Sequence, residues 1–321
     1  MSSTLSAALG AATCTLHWVS DARDSGAGAT DSSVRWLAPI PELDEPTLVA
    51  VLTGWIDAGG AARAAAEAIE DDAAASPIAE FDDDVYVDYR ARRPIMELRD
   101  GLNSVLNWER ITLTHGHDQT GRDVLLLTGP EPDMAWHRFT RTVGEIADLL
   151  GVRQFVHLGA YPFATPHTRP ARISVTSPSQ DVLMRAPYLR SSIDVPAGAA
   201  AALEHAMHER GIPAIGIWAQ VPHYIASMTY PAASAALLDG LLEITDLVVD
   251  AATLRSDVMI QGRRLDTLVA ANEEHQSMIS QLEELYDSST QPMPGMQGPM
   301  LQIASADELA AEVEEFLRRQ D

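Results

Sequence analysis

The side chains that could do chemistry in this 321-residue chain stand just after four apolar runs. LVAVLTGW (Leu48–Trp55) is followed by Asp57, Gly59 and Gly60, and VLLLTGP (Val124–Pro130) by Glu131 and Asp133. QFVHLGAYP (Gln154–Pro162) is followed by His167 and Arg169, and AIGIWAQVP (Ala214–Pro222) by His223. Asp57 precedes a helical pattern and has two readings. Its carboxylate caps that helix, or it serves as acid/base while the glycine loop cradles an anion. Glu131 and Asp133 also sit at a helix start, where Asp133 reads as the cap. His167 and Arg169, in a proline-punctuated loop, could together hold a carboxylate or phosphate, with Arg as the bidentate member. His223 reads as a strand-end histidine, either buried and hydrogen-bonded or a base.

Composition removes many alternatives. The formal charge is −24, so neither nucleic acid nor an anionic membrane is an expected partner. All 22 basic residues are Arg. Without Lys there is no Schiff-base chemistry, no Walker A lysine and no kinase lysine. The single cysteine, Cys14, excludes an intrachain disulfide and a cysteine zinc site. No GxSxG nucleophile elbow occurs. His115-Gly116-His117-Asp118 carries ligand-type residues at close spacing, but in an expected hairpin turn and without Cys no metal is expected there, and no cofactor elsewhere. Arg90, Arg92, Arg93 and Arg99 follow Asp82-Asp83-Asp84. They read as a salt-bridged surface, with a partner-docking patch as the sharper alternative. No apolar run reaches the roughly 18 residues of a membrane helix. No basic region precedes Leu5–Leu9, so a cytoplasmic protein is expected.

The elements must place these residues. The four runs are apolar on both faces, as in strands covered by helices on both sides. Helical patterns alternate with them at Ala58–Asp72, Met134–Leu150, Ala197–Arg210 and Ala232–Leu242. Alternation of strand and helix implies a mainly parallel α/β sheet, with ligands expected outside the carboxyl ends of its strands. Val85–Tyr89, Ile111–His115 and Ile173–Thr176 alternate apolar and polar residues and predict edge or antiparallel strands, so the sheet is mixed. The boundaries expected are a loose extension over 1–33 and a sandwich domain over 34–246. A helical extension follows over 247–287, able to bend at Gly262, then a linker over 288–304 and a short helix over 305–321.

GWIDAGG, HLGAYP followed by PHTRP, and WAQVPHY followed by YPAAS resemble the proteasome assembly chaperone family of the second-chaperone type, in its actinobacterial branch. The resemblance runs from about Arg35 to Tyr286. It implies a three-layer α/β/α sandwich of the purine nucleoside phosphorylase-like type. It also implies a cytoplasmic oligomer, a trimer by preference, and a chaperone-like role towards another protein. Some members of the wider family dock on proteasome rings through a C-terminal hydrophobic–Tyr–any-residue tail. This chain ends Arg318-Arg319-Gln320-Asp321, so docking by that tail is not expected. Nor is ATP-dependent ligation, for want of a lysine on the phosphates. Two functions stand against each other. One is a non-enzymatic oligomeric interaction protein. The other is an enzyme or small-ligand binder for a nucleoside-like or anionic metabolite. In that second case His167 and Arg169 hold the anion and Asp57 is the acid/base. Convergence of Asp57, His167, Arg169 and His223 on an open pocket would favour the second function. A cleft plugged by Trp55, Tyr161 and Trp218 would favour the first.

Overall fold

A computed structural model describes residues 33–288. The elements in chain order are β1 (Val34–Trp36), β2 (Thr47–Thr53), α1 (Ala61–Asp72), β3 (Ser76–Phe81) and α2 (Asp83–Tyr86), followed by β4 (Ile95–Arg99), β5 (Leu102–Asn107), β6 (Thr112–His117) and β7 (Asp123–Pro130). Next come α3 (Trp136–Leu149), β8 (Gln154–Phe163), β9 (Ile173–Thr176), α4 (Gln180–Arg185), α5 (Ala199–Glu209) and β10 (Ala214–Pro222). Three helices close the described chain: α6 (Pro231–Thr245), α7 (Ala252–Ala270) and α8 (Glu273–Ser288).

Eight strands form one mixed sheet in the order β1-β3-β6-β7-β2-β8-β10-β9. Its centre, β7-β2-β8-β10, is parallel throughout and consists of the four apolar runs. Strands buried on both faces need apolar side chains at every position, which is why these runs do not alternate. The outer strands pair antiparallel, including β6 and β9, the strands expected over Ile111–His115 and Ile173–Thr176. One face carries α1 and α6, whose Ala65, Ile69, Leu237 and Leu241 pack on Val49, Val156 and Ile217. The other carries α3 and α5, whose Phe139, Val143, Leu203 and Met207 pack on Leu48, Leu125, Phe155 and Ala214. Helices therefore cover both faces, as the alternation of strand and helix demanded. Among the described residues no helix is long and apolar enough to cross a membrane.

Three expectations change. Val85–Tyr89 is not a strand: the Asp82 carboxylate accepts from the Asp84 N–H at 3.1 Å and caps the short helix α2. That turn buries Tyr86 against Phe81 and Phe139, with its hydroxyl 2.8 Å from Ser33 Oγ. The strand beside β6 is instead β3, where Pro77 and a register shift before Ala79 blur the alternation. Gly262 does not break the helix, since α7 is continuous through it. The break falls at Ala271-Asn272, where the Asn272 side chain accepts from the Glu274 N–H at 2.9 Å and starts α8. The linker over 288–304 and the helix over 305–321 lie outside the described residues apart from Ser288, as does the extension over 1–33 apart from Ser33.

Candidate functional site

At the carboxyl ends of β2 and β7, on the α5 face, an open cavity of about 380 Å³ lies between the sheet, α5 and the segment leading into it. Leu52, Trp55, Glu131, His157, Gly159, Thr176, Glu204 and Trp218 line it, together with Val195–Ala201. The strands fix these positions by alternation. His157 and Gly159 on β8 and Trp218 on β10 point to the same face as buried Phe155 and Ala214. Trp218 lies directly over Gly159, where a Cβ would come within 2.4 Å of the indole ring. Glycine is thus required there for close approach, and Trp218 gains a flat floor. The ring stacks edge-on against His157 at 4.9 Å and donates Nε1–H to Thr176 Oγ1 at 3.2 Å.

Behind the indole the site is polar and buried. Glu204, 4% exposed, enters from α5 and accepts from the Thr176 hydroxyl at 3.0 Å. His157 Nδ1 lies 2.8 Å from the same carboxylate oxygen. The approach falls outside hydrogen-bond alignment, and neither imidazole nitrogen has a hydrogen-bond partner among the described residues. A buried polar group in that condition is costly unless a ligand or water completes it. Glu131 accepts from the Ala199 N–H at 3.0 Å and caps α5 at the cavity wall. The lining contains two carboxylates, two histidines and no arginine.

A model described as the PAC2 family matches residues 51–269. The chain belongs to the PAC2 family. It is similar to a Mycobacterium tuberculosis proteasome-assembly chaperone homologue at 33% identity and TM-score 0.68, covering 73% of this chain and 99% of that one. A protein of unknown function from Corynebacterium glutamicum matches at 30% identity and TM-score 0.75, covering 80% of this chain and 97% of that one. A PAC2 family protein from Streptomyces avermitilis matches at 30% identity and TM-score 0.66, covering 73% of this chain and 99% of that one. No curated protein matches the sequence.

Of the seven residues that the sequence proposed for a strand-end cleft, this PAC2 chain places only Glu131 in the cavity wall. Asp57 lies beside β8, bridging to Ala160, and caps α1 by accepting from the N–H groups of Ala62 at 2.8 Å and Arg63 at 3.1 Å. Gly59 has φ +65° and pairs with two partners, donating to Ala226 O at 2.7 Å and accepting from the Tyr230 N–H at 3.1 Å. A Cβ there would meet Tyr230 Cβ at 2.9 Å, so the turn requires glycine. Gly60, at φ +57°, is the residue immediately before α1. His167 packs under Tyr224, whose hydroxyl accepts from the His167 N–H at 2.8 Å and lies 2.6 Å from Nδ1. Burial holds this imidazole below the usual histidine range, against Asp266 and Glu283, which act in the opposite direction. Arg169 makes a fork to Asp287 at 3.0 and 2.8 Å and reaches Glu283 at 3.0 Å, both on α8. These carboxylates raise its already high pKa, the Asp287 hydrogen bond most. His223 is exposed and edge-on to Tyr224.

Arg92 is bound to Asp133 at 3.1 Å and approaches Glu109 at 3.8 Å, while Arg90 and Arg93 are exposed. The residues sequence reasoning passed over are His157, Thr176 and Glu204, while Trp218 was named only as a plug for the cleft. His157 was visible as the one histidine inside the apolar run QFVHLGAYP. Glu204 was hidden in an ordinary helical pattern.

Proposed function

We propose that this PAC2 protein is a non-enzymatic, chaperone-like interaction protein that works as a homo-oligomer, with a trimer favoured, in the cytoplasm. The observation that carries the reading is the ribbon β4–β5. It pairs with itself alone, outside the main sheet. Both of its faces present apolar side chains to solvent: Ile95 is 72% exposed, Leu102 68%, Leu98 52%, and Met96, Val105 and Leu106 over 40%. A lone two-stranded ribbon is marginal in water, and an exposed apolar patch of this kind suits a protein partner. The similarity to a proteasome-assembly chaperone homologue supports a proteasome-related client. The test is light scattering at micromolar concentration beside affinity capture from the native host with proteasome subunits quantified. A trimeric mass, lost in Ile95→Asp/Leu102→Asp, together with enriched proteasome subunits, supports the reading. A monomeric mass with no enrichment overturns it.

The cavity supports a second reading, a small-ligand site. Two indoles, two carboxylates and the unpartnered His157 suit a planar, nucleoside-like or cationic molecule. The absence of arginine from the lining weighs against the anionic metabolite that the sequence suggested. Titration of the protein with nucleosides, followed by Trp fluorescence, distinguishes the two, because the ribbon reading requires no change at Trp55 or Trp218.

A further inference from the structure

We propose that His115, His117 and Asp123 form a binding site for a divalent transition metal of the zinc class. The site lies at the opposite end of the sheet from the cavity, where β6 ends and β7 begins. It does not depend on the oligomer or on the cavity.

The argument starts from strand geometry. His115 and His117 are two apart on β6 and therefore share a face. Gly116 between them turns the other way, against the C-terminal end of α1, where the carbonyl oxygen of the cap residue Ala73 would lie 2.4 Å from any added Cβ. The His117 N–H donates to that same carbonyl at 3.2 Å and fixes the strand. Asp123 is the direct cross-strand partner of His117, with His115 diagonal to it. The three side chains meet as a result. Asp123 Oδ1 lies 2.8 Å from His115 Nε2 and 3.2 Å from His117 Nε2. One ligand atom from each residue falls within 4.8 Å of the other two.

The carboxylate is also held in place. Its Oδ2 accepts from the Asp44 N–H at 2.9 Å, which leaves Oδ1 facing the imidazoles. Ligands about 2.0–2.2 Å from a tetrahedral zinc stand roughly 3.3–3.6 Å apart, so an ion would replace the 2.8 Å His115–Asp123 hydrogen bond after a shift of about half an ångström. Exposure is graded in the way an open site needs. His115 and Asp123 are 16% and 13% exposed, while His117 is 60% exposed and gives an ion and its remaining water ligands a way in. Two imidazoles with one carboxylate is the donor set of three-ligand zinc sites and of facial two-histidine–carboxylate sites. The sequence expectation of no metal rested on the lack of Cys and on placing the histidines in a turn. They stand on the strand, and the turn is Asp118–Arg122.

The experiment is calorimetric titration of the chelator-treated full-length protein with Zn²⁺, with Co²⁺ as a spectroscopic probe. One equivalent per chain is expected, with visible Co²⁺ absorption of a low-coordinate histidine site. Losing an outer-shell partner weakens metal binding by about 10–100-fold. His117→Ala, an exposed and fold-neutral change that removes a ligand outright, is therefore expected to weaken binding at least that much. His275→Ala serves as control and should change nothing. No saturable binding, or binding unaltered by His117→Ala, overturns the proposal.

Discussion

The loop Thr165–Pro170 and the carboxyl-end cavity lie at neighbouring strand ends, yet they treat polar residues in opposite ways. In the loop most conspicuous groups are matched, although the Thr165 hydroxyl and His167 Nε2 are buried without a hydrogen-bond partner among the described residues. Arg169 is forked by Asp287 and Glu283, the Thr168 hydroxyl reaches Glu283, and Tyr286 donates to Pro170 O at 3.0 Å. Arg172 sits 3.5 Å over the Tyr286 ring and donates to Tyr286 O. The loop is thus strapped to α8. In the cavity, His157 is 2% exposed with neither nitrogen hydrogen-bonded, though Nδ1 lies 2.8 Å from Glu204, beside an open volume. A charge with good partners has little left to offer a ligand, whereas a buried group without partners has most of its hydrogen-bonding capacity in hand. Apart from Glu131, the residues that looked chemical in sequence are therefore mostly structural, and the quieter His157, Thr176 and Glu204 face the space.

The sharpest way to break this contrast is Glu204→Ala, which removes the acceptor of Thr176 and the carboxylate 2.8 Å from His157. It is expected to cost about 3 kcal/mol through unsatisfied buried groups and a void, measured by denaturant unfolding. Glu204→Gln keeps an oxygen for Thr176 and is expected to lose clearly less. Equal losses would show that the carboxylate itself is needed.

Gly159→Ala tests the cavity floor. Its Cβ must displace Trp218, at a cost of about 2 kcal/mol from overpacking, with a shifted Trp emission. An unchanged emission would mean that the indole already rests elsewhere.

Asp57 gives a smaller effect. Asp57→Ala is expected to lose about 1 kcal/mol as a removed cap, and Asp57→Asn less, by thermal melting. Native melting of the Asn variant with full loss of partner capture would return Asp57 to function.

In the strap the effects are smallest and depend on solution conditions. The folded pKa of His167 lies below its unfolded value of about 6.5, so the unfolded chain binds the extra proton first. Stability is then complete above about pH 6.5 and erodes as pH falls through that value towards the folded pKa. His167→Gln should flatten this slope in melting curves taken from pH 8 to 5. Arg169→Ala should lower melting only slightly, and less at high salt, because its ion pairs are partly solvent-exposed.

The four parallel strands were legible because burial on both faces leaves a mark that no other element shares at that length. α1, α3, α5 and α6 were legible from their apolar spacing. β3 and the ribbon β4–β5 were not, since Pro77 masks the first and the second has no buried face to impose alternation. The same division runs through the site. Sequence placed Glu131, Trp55 and Trp218 near strand ends, because the end of an apolar run is a local property. It could not choose between capping and chemistry for Asp57, nor free Arg169 from its α8 partners 114 to 118 positions away. Only tertiary structure decided those. A side chain's availability depends on which groups meet it across the fold, and those groups come from elements that local pattern does not connect.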